Sequence, residues 1–180
     1  PAECIESTGS QYIDTGYYHN ADTRIECTLL ANQQSGSAFV AAFGSHRNYA
    51  ENYEYWGYDF YLKWWGNVGE TGYTRSGTYN YEDGKFASNW NFPFGQQVTI
   101  SCDNTGAVVT PGNVTYPITG WNDASGRPFY IFAACCGGDG PDTNFDGPEC
   151  FSAMKLSGFK IYEGSELKRD LVPCRDPNGV

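Results

Sequence analysis

An acidic loop in the second half of the chain carries alternating oxygen-bearing side chains of the type that bind calcium. Asp142, Asn144 and Asp146 are two residues apart, and Gly147 follows them. In calcium loops such alternate oxygens converge on the ion, while the glycine allows the sharp turn. The twelfth position of the pattern is Ala153 instead of a bidentate Glu, so another carboxylate would have to complete the shell. The loop is a candidate structural Ca²⁺ site, and the alternative is an exposed turn without metal.

A run of aromatic residues, 53–65, is the strongest functional signal in the chain. Side chains alternate between the two faces of a strand, so the run separates into two sets. The set expected to meet solvent or a ligand is Tyr53, Tyr55 and Tyr61. The set expected to join the core is Trp56, Phe60, Leu62 and Trp64.

Flat aromatic rings beside polar side chains suit the recognition of sugars. The ring packs against the apolar C–H face of a pyranose, and the polar groups bond its hydroxyls. Trp90 and Trp121 stand in short polar segments that predict loops, where the binding residues of rigid scaffolds gather. The predicted ligand-binding residues are Tyr53, Tyr55, Trp56, Tyr61, Trp65, Trp90 and Trp121. The alternative is that these rings belong to the core or are ordinary surface residues of a sheet.

The residue patterns of common hydrolases are not found in the sequence. Glycosidases need two carboxylates that flank one bond, but the pairs Glu51/Glu54 and Glu163/Glu166 do not have the spacing that places both on one strand face. The chain has no Gly-x-Ser-x-Gly nucleophile elbow. His19 and His46 stand in polar, turn-like surroundings, which predicts solvated side chains. We therefore expect a protein that is not an enzyme.

The composition argues against several classes of partner. Eleven Lys and Arg against 21 Asp and Glu give a net charge of −10. This disfavours nucleic acid, because contacts between basic side chains and phosphates supply most of that affinity. The apolar runs fall far short of the ~20 residues of a membrane-spanning helix, so no membrane insertion is expected. The 180 residues suit one domain, 1–180.

Seven cysteines are scattered along the chain without a Cys-x-x-Cys pair, which argues against structural zinc. Scattered cysteines in an acidic chain rich in Tyr, Asn and Gly favour an oxidising environment. We therefore expect two or three disulfides and a secreted or cell-surface protein. The alternative is that several are buried thiols that pack as small apolar residues. Because the number is odd, at least one thiol stays free or pairs with another chain, which leaves an intermolecular disulfide or self-association open.

Hydrophobic periodicity predicts strands and almost no helix. The predicted strands are Arg24–Leu30, Ala38–Phe43, Gln97–Asp103, Phe129–Ala134 and Leu167–Pro173. Between Leu156 and Phe159 the apolar positions change parity, which predicts a β-bulge at Ser157-Gly158. Strands of this spacing between turn-rich segments indicate an all-β protein built as an antiparallel β-sandwich.

Several segments toward the two ends of the chain share a recognisable pattern: Cys4–Gly16, Thr23–Glu26, Pro128–Ala134, Met154–Gly164 and Leu167–Val180. These segments resemble a bacterial family of jelly-roll domains of the laminin-G/concanavalin-A-like type. Members of this family typically open with YIESTGTQYIDTG and close with FKIYDNGTLVRDFVPCRDPSGV. Cys4 departs from the pattern, because the family usually has an aromatic residue there. The resemblance implies two packed antiparallel sheets in a jelly roll and a secreted or surface-exposed module.

These observations together predict a non-catalytic carbohydrate-binding module that recognises a polysaccharide or glycan through surface aromatics. It would need no cofactor beyond the structural Ca²⁺. The alternative prediction is a secreted protein-interaction or assembly module, such as an adhesin segment, a surface-filament subunit or a phage structural domain. The odd cysteine favours this alternative, because it could form an intermolecular disulfide. The fold itself does not decide between the two predictions, since a fold of this type hosts many functions.

Overall fold

Strands make up all the regular secondary structure in the part of the chain that the structure describes. The computed structural model describes residues 3–32, 40–49, 54–63, 71–79, 90–111, 114–117, 128–134, 148 and 150–174; for 46–49, 54–59, 61, 63, 71–79, 90–91 and 114–117 it describes the backbone alone. The strands are β1 (Ile5–Thr8), β2 (Ile13–Tyr18), β3 (Thr23–Ala31), β4 (Val40–Tyr49), β5 (Glu54–Lys63), β6 (Thr71–Tyr79), β7 (Trp90–Asn91), β8 (Gln97–Asp103), β9 (Gly106–Thr110), β10 (Val114–Pro117), β11 (Pro128–Ile131), β12 (Ala153–Glu163) and β13 (Glu166–Leu171).

The strands form two antiparallel sheets that share one hydrophobic core. Sheet A has the order β1-β12-β3-β8-β9-β10, with β13 also paired to β12, and sheet B has the order β2-β11-β4-β5-β6-β7. Phe43 of sheet B meets Phe159 of sheet A edge to face, with ring centroids 5.3 Å apart. The prediction of an all-β protein with antiparallel sheets is thereby confirmed, and the two layers are arranged as in a β-sandwich.

The central strands of sheet A follow the predicted alternation. On β3, Ile25, Cys27 and Leu29 are buried, and the residues between them are only partly covered. On β8, Val98, Ile100 and Cys102 are buried in the same way, and the strand has the predicted bounds. One face of sheet A therefore supplies the core and the other is open to solvent, as the period of two requires.

The predicted β-bulge on β12 is confirmed. The register of β12 against β3 shifts between Leu156 and Gly158. Met154 and Leu156 before the shift, and Phe159 and Ile161 after it, are all buried although their parity differs. The extra residue lets one long strand direct apolar side chains of both parities into the same core.

Two predicted strands end earlier than expected. The strand predicted for Phe129–Ala134 ends at Ile131, because Phe132 has a φ of 67°, which no strand residue adopts. Phe132 instead donates its backbone N–H to the carbonyl of Ala42 and accepts from the N–H of Ser152, both at 2.8 Å. The last strand ends at Leu171, so the buried Pro173 lies beyond it.

One arginine links the edges of the two sheets. Arg169 lies on β13 of sheet A, and its Nε donates to the carbonyl oxygen of Thr15 on β2 at 3.1 Å. Its Nη2 donates to the carbonyl oxygen of Gly16 at 3.4 Å. Because β2 is the last strand of sheet B, this side chain occupies backbone acceptors that no neighbouring strand of the described sheet reaches.

The cysteines correct the disulfide expectation. Cys150 is disulfide-bonded, and its partner lies outside the described residues. Cys4, Cys27, Cys102 and Cys174 carry thiols. With four thiols among seven cysteines, at most one disulfide can form within the chain, so the expected two or three are wrong. For Cys27 and Cys102 the alternative holds: both lie in the core as small apolar residues.

Candidate ligand-binding site

Strand β5, which carries most of the aromatic run, lies inside sheet B between β4 and β6. Phe60 and Leu62 are fully buried, which confirms the core face predicted for this strand. The Phe60 ring stacks on Phe43 at 5.3 Å and meets Phe92 edge to face at 6.3 Å. Since alternate positions of a strand belong to opposite faces, the odd-numbered positions of β5 belong to the face away from the core, here named the outer face of sheet B.

Tyrosine positions pair with each other across β5 and β6. The register places Tyr55 opposite Tyr79 and Tyr61 opposite Tyr73. Directly paired positions belong to the same face of an antiparallel sheet, so all four are positions of the outer face. The two pairs are six residues apart, or about 20 Å along the strands.

Two further rows lie between the tyrosine pairs. Gly57 pairs with Gly77, and Asp59 pairs with Arg75. Read along β5 from Tyr55 to Tyr61, the outer-face positions are Tyr, Gly, Asp and Tyr, and on β6 their partners are Tyr, Gly, Arg and Tyr; Lys63 is the next outer-face position of β5. In three of these four rows the two paired residues are identical, and in the fourth row an acidic residue pairs with a basic one. We call Gly57 and Gly77 the glycine row.

The rows continue into the neighbouring strands of sheet B. His46 of β4 pairs with Gly57, which extends the glycine row by one strand. Asp59 pairs with Gly44 of β4, and Gly44 in turn pairs with Tyr130 of β11. The outer face thus has a defined sequence of positions across four adjacent strands.

An aromatic cluster covers the outer face near β11. Tyr130 is only 6% exposed although its neighbours Phe129 and Ile131 belong to the main core. Its ring meets that of Tyr12 at 5.2 Å with an interplanar angle of 84°, and Phe151 packs against the same cluster. The β11 end of this face is therefore occupied by the chain's own aromatic rings.

A small polar cavity at one end of the molecule is the second candidate. It has a volume of about 190 Å³ and is lined by turn residues that include Asp22, Arg24, Asp103 and Asn104. The guanidinium of Arg24 lies 3.9 Å from the centroid of the Tyr162 ring and forms an ion pair with Glu26. Asp103 accepts from the backbone N–H and the hydroxyl of Thr105, at 2.8 and 2.6 Å. Arg24 and Asp103 therefore already have partners. The outer face of sheet B, with its paired tyrosine positions, is the stronger candidate.

The predicted site residues fall into two groups. Tyr55, Trp56 and Tyr61 lie on β5, and Trp90 begins β7, where it pairs with Gly72. Trp90 is therefore in a short strand and not in the predicted loop. Outside the described residues lie Tyr53, Trp65, Trp121, Asp142, Asn144 and Asp146.

The β6 positions are what the sequence prediction missed. Tyr73, Arg75, Gly77 and Tyr79 repeat, in reverse order, the Tyr-Gly-Asp-Tyr spacing of β5 with Arg in place of Asp. That mirrored pattern at a period of two is a sequence signal of a paired hairpin.

One histidine prediction is wrong. His19 is 1% exposed instead of solvated, and its ring centroid is 6.4 Å from that of Phe129. It continues the alternation of Thr15 and Tyr17, which are also buried, beyond the end of β2. His46 lies within β4, so it is a strand residue and not a turn residue.

Comparison with known proteins adds no relative. No protein-family model matches the chain, and no curated protein matches it. Among the described residues, no group of three or more His, Cys, Asp or Glu is arranged to hold a metal ion. The same residues contain no helix that is long and apolar enough to cross a membrane.

Proposed function

We propose that the protein is a non-catalytic carbohydrate-binding module whose ligand lies on the outer face of sheet B. The observation that carries this proposal is the register that pairs Tyr55 with Tyr79 and Tyr61 with Tyr73. Tyrosine offers a flat apolar ring with a polar hydroxyl, the combination that binds sugars. Strand β5 is paired on both sides, with β4 and with β6, so the backbone that carries Tyr55 and Tyr61 is in place before the ligand arrives.

The positions of carboxylates on this face support binding and not hydrolysis. Glycosidases set two carboxyl groups about 5–9.5 Å apart. Asp59 lies in one row with Gly44, Tyr130 and Asp14, on four successive strands. At about 4.8 Å between neighbouring strands, the backbone positions of Asp14 and Asp59 are about 14 Å apart. This spacing is too wide for a catalytic pair, so the proposed role of Asp59 is to accept hydrogen bonds from sugar hydroxyls.

The finer features of the proposal follow from the sequence. A jelly-roll connection of the two sheets and a secreted or cell-surface location agree with the resemblance of the chain ends. The loop with Asp142, Asn144 and Asp146 is proposed to hold a structural Ca²⁺. Addition of a chelator should then lower the melting temperature without changing the class of glycan bound.

Substitution of the paired tyrosines tests the proposal. The wild-type protein is screened on an array of plant, algal and mucin polysaccharides, and the affinity of any ligand is measured by calorimetry. Tyr55→Ala and Tyr61→Ala should each weaken binding by about two- to tenfold, since one aromatic ring contact contributes about 0.5–1.5 kcal/mol. Tyr18→Ala is the control, because Tyr18 is 56% exposed on β2 at the edge of the same sheet. Binding to no glycan, or equal affinity of all three variants, would contradict the proposal.

A second candidate function rests on the exposed thiol of Cys174. This cysteine is exposed and carries a thiol, and its Sγ donates to the carbonyl oxygen of Val172 at 3.4 Å. An exposed thiol can join two copies or a partner protein through an intermolecular disulfide, as an adhesin or assembly module would use. Non-reducing electrophoresis and light scattering should then show a covalent dimer that Cys174→Ser abolishes. A monomer under oxidising conditions would rule this candidate out.

A further inference from the structure

We infer that the glycine row, Gly57 and Gly77, is the floor of a trough that holds a ring of a neutral glycan, and not of a polyanionic one. This inference rests on the proposed function of the same face and specifies both the place of closest approach and the class of ligand. Three observations support it: the pairing of the two glycines, the composition of the rows on either side, and the charge of the molecule.

The pairing of two glycines inside a sheet needs a reason. Glycine weakens a strand, and inside one it marks either a bulge or a place where a ligand approaches the backbone closely. The register of β5 against β6 runs from Tyr55–Tyr79 to Tyr61–Tyr73 without a shift, so a bulge does not account for them. Close approach of a ligand or of another backbone segment accounts for such a pair, and the trough is proposed on the first of these two explanations.

The rows on either side give the trough its boundaries. The Tyr55–Tyr79 pair lies two residues away, or about 7 Å along the strands, and the Asp59–Arg75 pair lies equally far on the other side. A position without a side chain between rows that carry large ones leaves a depression across the strands. On β4 the row continues with the position of His46, which pairs with Gly57.

Charge selects the class of glycan. Asp59 and Arg75 are directly opposite, so this row provides an acceptor and a donor without net charge. Lys63, the other charged outer-face position of β5, is six residues from Gly57, or about 20 Å along the strand. Sugar hydroxyls both donate and accept hydrogen bonds, whereas the carboxylate of a uronic acid only accepts and adds a negative charge. The chain carries a net charge of −10, which repels a polyanion. A neutral polysaccharide therefore fits both the row and the molecule.

Filling the trough should change stability and binding in opposite directions. Gly57→Thr and Gly77→Thr replace a poor strand former with a good one, so the melting temperature should stay the same or rise. Binding of the neutral glycan found in the array screen should fall at least tenfold. Gly57→Ala is the smaller substitution if either threonine variant melts at a lower temperature. Gly158→Ala on β12 is the matched control, since an added Cβ there meets no atom within 4 Å.

The outcomes separate this inference from the proposed function. Wild-type protein that binds no glycan contradicts the proposed function itself. Wild-type protein that binds a glycan, with unchanged affinity in the Gly57 and Gly77 variants, overturns the trough and leaves the proposed function standing. Preferential binding of polygalacturonate over neutral polysaccharides, with an affinity that falls as salt rises, overturns the choice of a neutral ligand. Loss of binding by the glycine variants together with salt-independent affinity for a neutral polysaccharide supports both parts.

Discussion

The outer faces of the two sheets have different kinds of cross-strand pairs. On sheet A, charged side chains pair with each other: Lys155 with Glu6 at 3.6 Å, and Lys160 with Asp170 at 4.0 Å. Thr28 and Thr99 share a hydrogen bond of 3.2 Å on the same face. On sheet B, tyrosine positions pair with tyrosine and glycine with glycine, and Asp59 pairs with Arg75. Both faces therefore carry charged pairs, and what sheet B adds is paired aromatic positions beside positions without a side chain.

The candidate site also has a defined place in the chain. The end segments that resemble the jelly-roll family supply β1, β12, β13 and part of β3 in sheet A, and β11 and part of β2 in sheet B. The middle segment, where the resemblance fails, supplies β8, β9 and β10 of sheet A and β4, β5, β6 and β7 of sheet B. The paired tyrosine positions therefore lie in the part of the sequence that the resemblance does not cover.

The largest effect should come from the core that both faces share. Phe159 is fully buried and its ring contacts Phe43 and Phe129 of the opposite sheet. Phe159→Ala should reduce the free energy of unfolding by about 3–5 kcal/mol, because it leaves a cavity between the sheets. Urea unfolding followed by tryptophan fluorescence measures this. A loss below 1 kcal/mol would mean that the sheets do not depend on this contact, and Phe159→Leu is the conservative control.

Alkaline pH should lower the stability of the protein through the buried thiol of Cys27 on sheet A. The described core strands of sheet B carry no cysteine. Burial raises the pKa of the Cys27 thiol well above its ordinary value of 9.0, and the nearby Cys102 raises it further. The folded chain therefore keeps a proton that the unfolded chain releases above pH 9.0. The stability is complete below that pH and falls above it, by up to about 1.4 kcal/mol per pH unit, until the folded thiol ionises.

Melting temperatures between pH 8 and 10.5 check this, with Cys27→Val as the comparison. The variant should lose less stability than the wild type over that range. The remaining decline should include Tyr17, because burial raises the pKa of this phenol despite its hydrogen bond to Thr23. Identical pH profiles for wild type and variant would show that Cys27 is not the source.

Neutralising one aspartate on each face compares the two regions directly. Asp59→Asn on sheet B should weaken glycan binding by about tenfold, the equivalent of one hydrogen bond to a charged group. Asp170→Asn on sheet A should leave the affinity unchanged, because Asp170 pairs with Lys160 on sheet A, away from the proposed site on sheet B. Calorimetric titration of both variants tests the contrast, and a matched loss in both would remove the distinction between the faces.

The smallest effect is expected from the surface ion pairs of sheet A. Lys155 and Glu6 are about half exposed, so their attraction is screened by water and salt. Lys155→Gln should change the free energy of unfolding by less than about 1 kcal/mol. A larger loss in urea unfolding would mean that the paired charges of sheet A contribute to its stability as the core does.

The sequence predicts the elements whose pattern is local. Alternation along β3 and β8 and the change of parity at Gly158 each depend on residues within one strand, and each was found where predicted. Burial of Phe60 and Leu62 follows from the same rule.

Features that depend on a distant partner could not be predicted in this way. The row of Asp59 and Arg75 exists only because β5 and β6 pair in one register, and a slip of one residue would separate them. Phe132 lies in an apolar run that reads as strand, yet bonds to Ala42 and Ser152 turn the backbone to a positive φ. His19 has polar neighbours in the sequence, but it is buried because it continues the alternation of Thr15 and Tyr17 one residue beyond the end of β2.

The contact of Arg169 with β2 has a consequence for how copies of the protein meet. An end strand with unsatisfied carbonyls is a template on which a foreign strand can add, and repeated addition leads to fibrils. The guanidinium occupies the carbonyls of Thr15 and Gly16 and places a positive charge at that border. A foreign strand that added at these two positions would have to displace the guanidinium, so Arg169 protects this part of the β2 edge against strand addition.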